Sequence, residues 1–236
     1  MSLLYYIIDT ETTGLKAGYN EMTEIGIIRY ADRVQLWRQM KCDYPERANF
    51  DALAITKKTM ADLEKGFPAA QVVAECEKFF AEDGATPAHR CIVAHNASFD
   101  RRFLHALWEQ AGKQFPANLW IDTIAMTKQF LKETDQSKLK IVKTATGKVS
   151  TQLHACCDMV DIKKISEAHN AKVDSRNTYL LFRNLMDEKK VDHLKHIKTE
   201  IHQFNGPPPL DEEGGLDPSL LDIEWKVPVS IPFTHS

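Results

Sequence analysis

Asp9 and Glu11 stand two residues apart in the stretch IIDTETTGL, residues 7–15, at the end of an apolar run. In an extended chain residues i and i+2 project to one face, so these carboxylates point together while Ile8 and Thr10 point away. Two carboxylates held so close repel each other, and both stay ionised only beside a cation or a basic partner. Hard divalent ions such as Mg²⁺ and Mn²⁺ meet that demand. They take oxygen ligands and keep several waters, leaving positions that phosphate oxygens can enter. A solvent-exposed acidic surface is the plain alternative for any single pair.

Further acids lie in two other places. VAHNASFDRRF puts Asp100 in the first turn of a helix that follows a short apolar strand. Strand ends are where sites form in open α/β sheets, although an acid there also interacts well with the helix dipole. In HNAKVDSRNTYLLF, His169 precedes Asp174 by five residues. On one helix they would be turned about 140° apart, at about 100° per residue. His169 therefore belongs on a loop before a helix that begins near Asp174, from which it can fold back over a metal site. His154, Cys156, Cys157 and His169 invite a zinc reading, but the adjacent cysteines lack ordinary ligand spacing.

Elements able to position these groups follow from the hydrophobic pattern. Leu3 to Ile8 is apolar without alternation, as for a strand covered on both faces. Strands Glu24–Tyr30 and Arg33–Lys41 follow, joined tightly at Ala31-Asp32. Pro68 opens a helix to Ala81, and Cys91–Ala94 is a buried strand. Phe99, Phe103, Leu104, Leu107 and Trp108 form a helical stripe, Leu119–Asp122 a fifth strand, and Thr123–Leu131, Ser150–Met159 and Asp174–Asp187 the remaining helices. A strand meander followed by alternating elements predicts a layered α/β fold with a mixed sheet.

The 236 residues carry a net charge of -3. Six acids and one lysine from Asn205 onward give the tail -5, so residues 1–204 carry +2. Six lysines against two acids between Met126 and Lys148 make a local +4 that can follow a phosphate backbone, or simply a solvated surface. The tail, residues 205–236, is rich in proline, glycine and acid and reads as extended, with Leu220, Leu221, Ile223, Trp225 and Ile231 available to dock on the body or a partner. No apolar run is long enough for a membrane span or a leader, which implies a cytoplasmic protein, or a nuclear one in a eukaryote. Five cysteines without paired spacing imply reduced thiols.

DTETTGL, HNASFD and the pair His169 and Asp174, in that order, resemble the DEDDh (DnaQ-like) 3'-to-5' exonucleases over residues 3–187. The resemblance implies a ribonuclease H-like fold, with a mixed five-stranded sheet flanked by helices, in a domain of residues 1–204. It also implies that Asp9, Glu11, Asp100 and Asp174 hold two ions, Mg²⁺ or Mn²⁺, with Asp9 bridging, and that His169 is the general base. Atoms around Thr10 and Thr12 would hold the terminal nucleotide, with Leu15 beside its base and Ile55 and Asn96 as further contacts. His95 and Phe99 are open between substrate contact and structure, and Asp122 between supporting the site and capping a helix. Where many polymerase-associated members carry His-Gly-Ile-Thr, this chain has Leu53-Ala54-Ile55-Thr56, which removes one interaction with the terminal nucleotide. The implied substrate is a nucleic acid with a single-stranded 3' end, DNA being favoured, with a polymerase as possible partner through the tail. RNA 3'-end trimming, or a non-catalytic module binding nucleic acid or a polymerase, are the competing readings.

Overall fold

The computed structural model describes residues 3–165 and 169–200. The acidic tail from Asn205 lies outside the described residues. In chain order the strands are β1 (Leu4–Thr12), β2 (Met22–Arg29) and β3 (Gln35–Gln39). The short helices α1 (Phe50–Thr56) and α2 (Met60–Leu63) follow, then α3 (Ala69–Ala81), β4 (Arg90–Ala94) and α4 (Ala97–Gln110). The chain continues through β5 (Leu119–Asp122), α5 (Thr123–Glu133), α6 (Leu153–Met159), α7 (Ala171–Arg183) and β6 (Lys198–Thr199).

The strands form one mixed sheet in the order β3-β2-β1-β4-β5-β6. β1 pairs antiparallel with β2 and parallel with β4, which pairs parallel with β5. The expected meander and the mixed sheet are therefore present, with six strands rather than five. The additional strand is two residues of β6 against Leu119 and Trp120, too short to carry a periodic signal.

β1 is buried on both faces, which explains its unbroken apolar run. Tyr6 and Ile8 enter a core with Val72 and Phe80 of α3 and Leu104 and Trp108 of α4. Ile7 enters the opposite core, with Met126 of α5, Cys156 and Cys157 of α6 and Leu181 and Phe182 of α7. This alternation assigns the polar end of the strand in advance. Even-numbered Thr10 faces α4, and odd-numbered Asp9 and Glu11 face α7. All five cysteines are buried and unpaired.

Several boundaries depart from the pattern. α7 begins at Ala171, three residues before Asp174, because Asn170 caps it by accepting the Val173 N–H. α6 begins at Leu153, with Ser150–Gln152 extended before it. α1 and α2 had no apolar stripe to announce them: α1 buries only Leu53, while Phe50 and Ile55 face solvent. Their marks are polar, an Asn49 cap on the Asp51 N–H and a Thr59/Asp62 capping box.

Gly26 sets how closely α7 approaches the sheet. It lies opposite Asp9 in the β1/β2 register. A Cβ there would sit 2.3 Å from the Ala171 carbonyl oxygen and 2.8 Å from Ser175 Oγ. The first of these neighbours is backbone, which cannot swing aside. Gly26→Ala is therefore expected to lower stability by about 1–3 kcal/mol, the usual range for overpacking, read as a lower midpoint in urea denaturation. An unchanged midpoint would contradict this packing.

Candidate active site

The first turn of α7 reaches β1 at Asp9 and Glu11. Asp174 is the fourth residue of α7, and Asp100 is the fourth of α4. Ligand oxygens of Asp9, Glu11 and Asp174 lie within 4.8 Å of one another. Asp9 and Glu11 are half-buried and Asp174 is buried. Together with His169, His154 and Gln152 they line a cleft of about 320 Å³. Asp174 Oδ1 is buried without a hydrogen-bond partner.

Asp100 does not join that cluster of three. It is buried on the α4 side of β1, where its Oδ1 accepts from Thr10 Oγ1 at 2.9 Å. Its charge still acts on Asp9. Thr12 Oγ1 donates to the Gly14 carbonyl at 2.6 Å, so both threonine hydroxyl protons are engaged within the protein. Leu15 and Ile55 are 74% and 58% exposed. Their segments are tied together where the Asn49 N–H donates to the Thr13 carbonyl.

His169 is exposed and lies directly before the α7 cap, on the connection expected for it. Its ring meets that of His154 edge-on, with centroids 5.9 Å apart. His154 Nε2 is 4.0 Å from Asp174 Oδ1. Sequence reasoning considered His154 only for zinc and missed its place in this cleft. Its position at the start of α6 was concealed by the unpatterned segment before it.

His95, which also lines the cleft, forms with Asn96 and Asp122 the junction of β4, α4 and α5. His95 Nε2 must donate to the Thr151 carbonyl at 2.8 Å, which leaves Nδ1 to accept from Thr123 Oγ1 at 2.8 Å. Burial lowers the pKa of this imidazole below its ordinary value. With both nitrogens occupied, His95 is a structural clamp. Asn96 takes a left-handed conformation (φ 69°, ψ 50°), which asparagine tolerates, and its N–H donates to Asp122. Its side chain is exposed at the start of α4, and it is not among the residues lining the cleft. Asp122 also accepts the Ile124 N–H at 2.9 Å, which makes it the cap of α5.

Glu24 was also missed. It pairs with Glu11 across β1 and β2 and is buried, bonded to Lys58 Nζ, the Ala171 N–H and Trp37 Nε1. It thus fastens the first residue of the helix that carries Asp174. Its bond to Ala171 spans 147 residues of sequence, and no local pattern reports it.

Comparison with known proteins follows this geometry. The RNase_T family, described as Exonuclease, matches residues 6–182. The PolC-type DNA polymerase III of Halalkalibacterium halodurans is 28% identical over 203 residues, covering 86% of this chain and 13% of that protein. The DNA polymerase III subunit epsilon of Treponema pallidum is 26% identical over 198 residues, covering 84% of this chain and 80% of that protein. This chain therefore spans only a small part of the PolC-type relatives and most of the epsilon subunit. Among solved structures, E. coli Exonuclease I in complex with a dT13 oligonucleotide matches 80% of this chain and 42% of its own, with a TM-score of 0.65 at 17% identity. Exonuclease I from Methylocaldum szegediense gives a TM-score of 0.60 at 20% identity over 79% of this chain and 42% of its own. These likenesses show a shared fold.

The electrostatics say what the cluster lacks. Burial, then Asp100, Glu11, Asp174 and Glu24, push the Asp9 carboxyl well above its ordinary range. Burial, then Asp174, Glu24 and Asp100, raise Glu11 to about 8, against the pull of Lys58. Burial raises Asp100 to about 7 despite the Thr10 hydrogen bond, and it raises Asp174 despite the two imidazoles. The donors are all oxygen, crowded and short of positive charge, which fits a hard divalent cation.

Between its ordinary 4.5 and about 8, the Glu11 carboxyl keeps a proton in the folded chain that the unfolded chain has lost. The stability of the ion-free protein is therefore highest below that window and falls as pH rises through it. In EDTA the Tm is expected to drop between about pH 5 and about pH 8, and Glu11→Gln to flatten the decline. Millimolar Mg²⁺ or Mn²⁺ is expected to restore the Tm most at the alkaline end, because protons compete with the ion. A Tm that rises with pH in EDTA would contradict this charge balance.

Proposed function

This chain belongs to the RNase_T exonuclease family, and we propose that it is a metal-dependent 3'-to-5' exonuclease that releases nucleoside 5'-monophosphates from single-stranded ends. The observation that carries the reading is the convergence of Asp9, Glu11 and Asp174 from two distant segments within 4.8 Å. No bare protein gains by that arrangement, as the raised carboxyls attest.

Asp9, Glu11 and Asp174 would hold the ions directly. Asp100, steadied by Thr10, would act on the Asp9 side of the site. When bound, the ions supply positive charge for the scissile phosphate and lower the pKa of the attacking water. His169 takes the proton of that water as it attacks phosphorus in line with the departing 3'-oxygen. The bond between phosphorus and the 3'-oxygen of the preceding nucleotide breaks, and that oxygen recovers a proton from solvent. Exposure lets His169 pass its proton on to solvent. Leu15 and Ile55 offer exposed apolar surface against which the terminal base packs.

DNA is the favoured substrate. The relatives are DNA polymerase III proteins, and one structural neighbour is complexed with a dT13 oligonucleotide. The same relatives support work beside a polymerase; in this reading residues 1–204 are the nuclease and the tail is the proposed attachment.

With Mg²⁺ or Mn²⁺, the protein is expected to shorten 5'-labelled oligonucleotides stepwise and to cut DNA faster than matched RNA. Asp9→Ala should abolish the activity. His169→Ala should lower kcat by about 10²–10⁴-fold, the usual share of a general base, with KM little changed. Failure to release mononucleotides from every DNA and RNA oligomer would overturn the reading, and faster cutting of RNA would reverse the sugar preference alone.

A further inference from the structure

The cleft is acidic, yet its substrate would be a polyanion. Something near it must offset the repulsion. The chain that forms one rim of the cleft supplies the charge. Residues 139–149 fold into a small hairpin: Lys143 bridges Val149, the Thr144 N–H donates to the Lys148 carbonyl at 2.8 Å, and the Ser150 N–H donates to the Val142 carbonyl at 2.8 Å. Gly147 takes a φ of +79° at its tip. Leu139, Ile141 and Val142 pack against the core beside α7. The element is therefore anchored, and Lys140, Lys143 and Lys148 project from it exposed to solvent.

The hairpin runs straight into the site. Ser150 is buried, the Thr151 carbonyl is clamped by His95, and Gln152, Leu153 and His154 line the cleft. Lys148 stands four residues before Gln152, so the chain holds their Cα atoms no more than about 14 Å apart. Some basic side chains, Lys58, Arg90 and Lys164 among them, are engaged by acids, and others on the surface are not. Among the described residues Lys140, Lys143 and Lys148 take part in no ion pair, although glutamate and aspartate are plentiful in the chain. Their charge is left available to a partner that brings its own anions.

We propose that this basic hairpin is a strand guide, which grips the phosphate backbone of the nucleic acid whose 3' end lies in the cleft. The assignment rests on the exonuclease reading above. It makes the three lysines determinants of polymer binding and leaves the chemistry at the terminal phosphodiester to the acids and His169. Their contribution is Coulombic and sequence-independent, and it weakens with salt through counterion release.

Two substrates separate the possibilities. The p-nitrophenyl ester of thymidine 5'-monophosphate has a scissile phosphodiester and no strand, whereas a 5'-labelled oligothymidylate has both. The variant Lys140→Gln/Lys143→Gln/Lys148→Gln should cleave the ester at the parent rate. On the oligomer its kcat/KM should fall about tenfold near 0.1 M salt, through KM. The slope of log(kcat/KM) against log[salt] should become shallower by about 2, since each phosphate of a single strand that a lysine neutralises adds about 0.7 to it. The matching triple arginine variant should keep the parent slope. An unchanged salt slope in the glutamine variant, with the ester still cleaved, would overturn the guide and leave the exonuclease reading standing. A parent that cleaves neither substrate would overturn both.

Discussion

Mutual repulsion among Asp9, Glu11 and Asp174 is the constraint around which this protein is arranged. Burial, joined by like charge at Asp9 and Glu11, holds their carboxyls above the range that free side chains show. Left to itself, the cluster would relax by moving apart or by keeping protons. The surrounding structure allows little movement. Asp9 and Glu11 are fixed by their pairing with Gly26 and Glu24 of β2, and Asp174 by a helix pressed against that sheet. What remains is a demand for positive charge at one point, which the protein itself meets only in part. Lys58 leans on Glu11 but is committed to Glu24.

The helix is brought to the strand by two residues with no direct chemical role. Gly26 removes the side chain that would hold α7 away, and Glu24 bonds its first N–H. Both lie on β2, one strand removed from the carboxylates they serve. On the other face of the sheet Thr10 does the same for Asp100. β1 thus addresses two helices at once, using alternate residues. Each helix answers with an aspartate in its first turn, where the dipole also favours negative charge. His95, in the cleft wall, joins the end of β4 to α5 and to the segment that becomes the cleft rim.

Much of this was legible in the sequence, for identifiable reasons. Alternation is exact in a strand, so the shared face of Asp9 and Glu11 followed from spacing alone. The loop position of His169 followed from helix geometry in the same way. The first-turn position of Asp100 followed from the strand and stripe on either side of it. Sequence reasoning failed where position depends on interactions between distant segments. Asp100 lies on the α4 side of β1, outside the tight cluster of three, although its charge acts on Asp9. Asn96 takes a left-handed conformation at the start of α4, which no local pattern announced. Helices α1 and α2 were invisible because each buries a single leucine, Leu53 and Leu63, too few to make a stripe. Glu24 and His154 act through neighbours more than a dozen residues away, which no local window connects. Lys58 and Gly26 belong to the same class.

Charge is distributed to match this division. Negative charge converges where the ion would bind, and exposed lysines occupy the hairpin that leads into the rim. The ion is the premise on which both depend. Titration with Mn²⁺, followed by the loss of its free-ion EPR signal near neutral pH, measures that premise directly. The parent protein should bind the ion saturably, and Asp174→Asn, which preserves shape and removes one charge, should bind it far more weakly. Equal binding by both proteins, or no saturable binding by the parent, would contradict the account at its root.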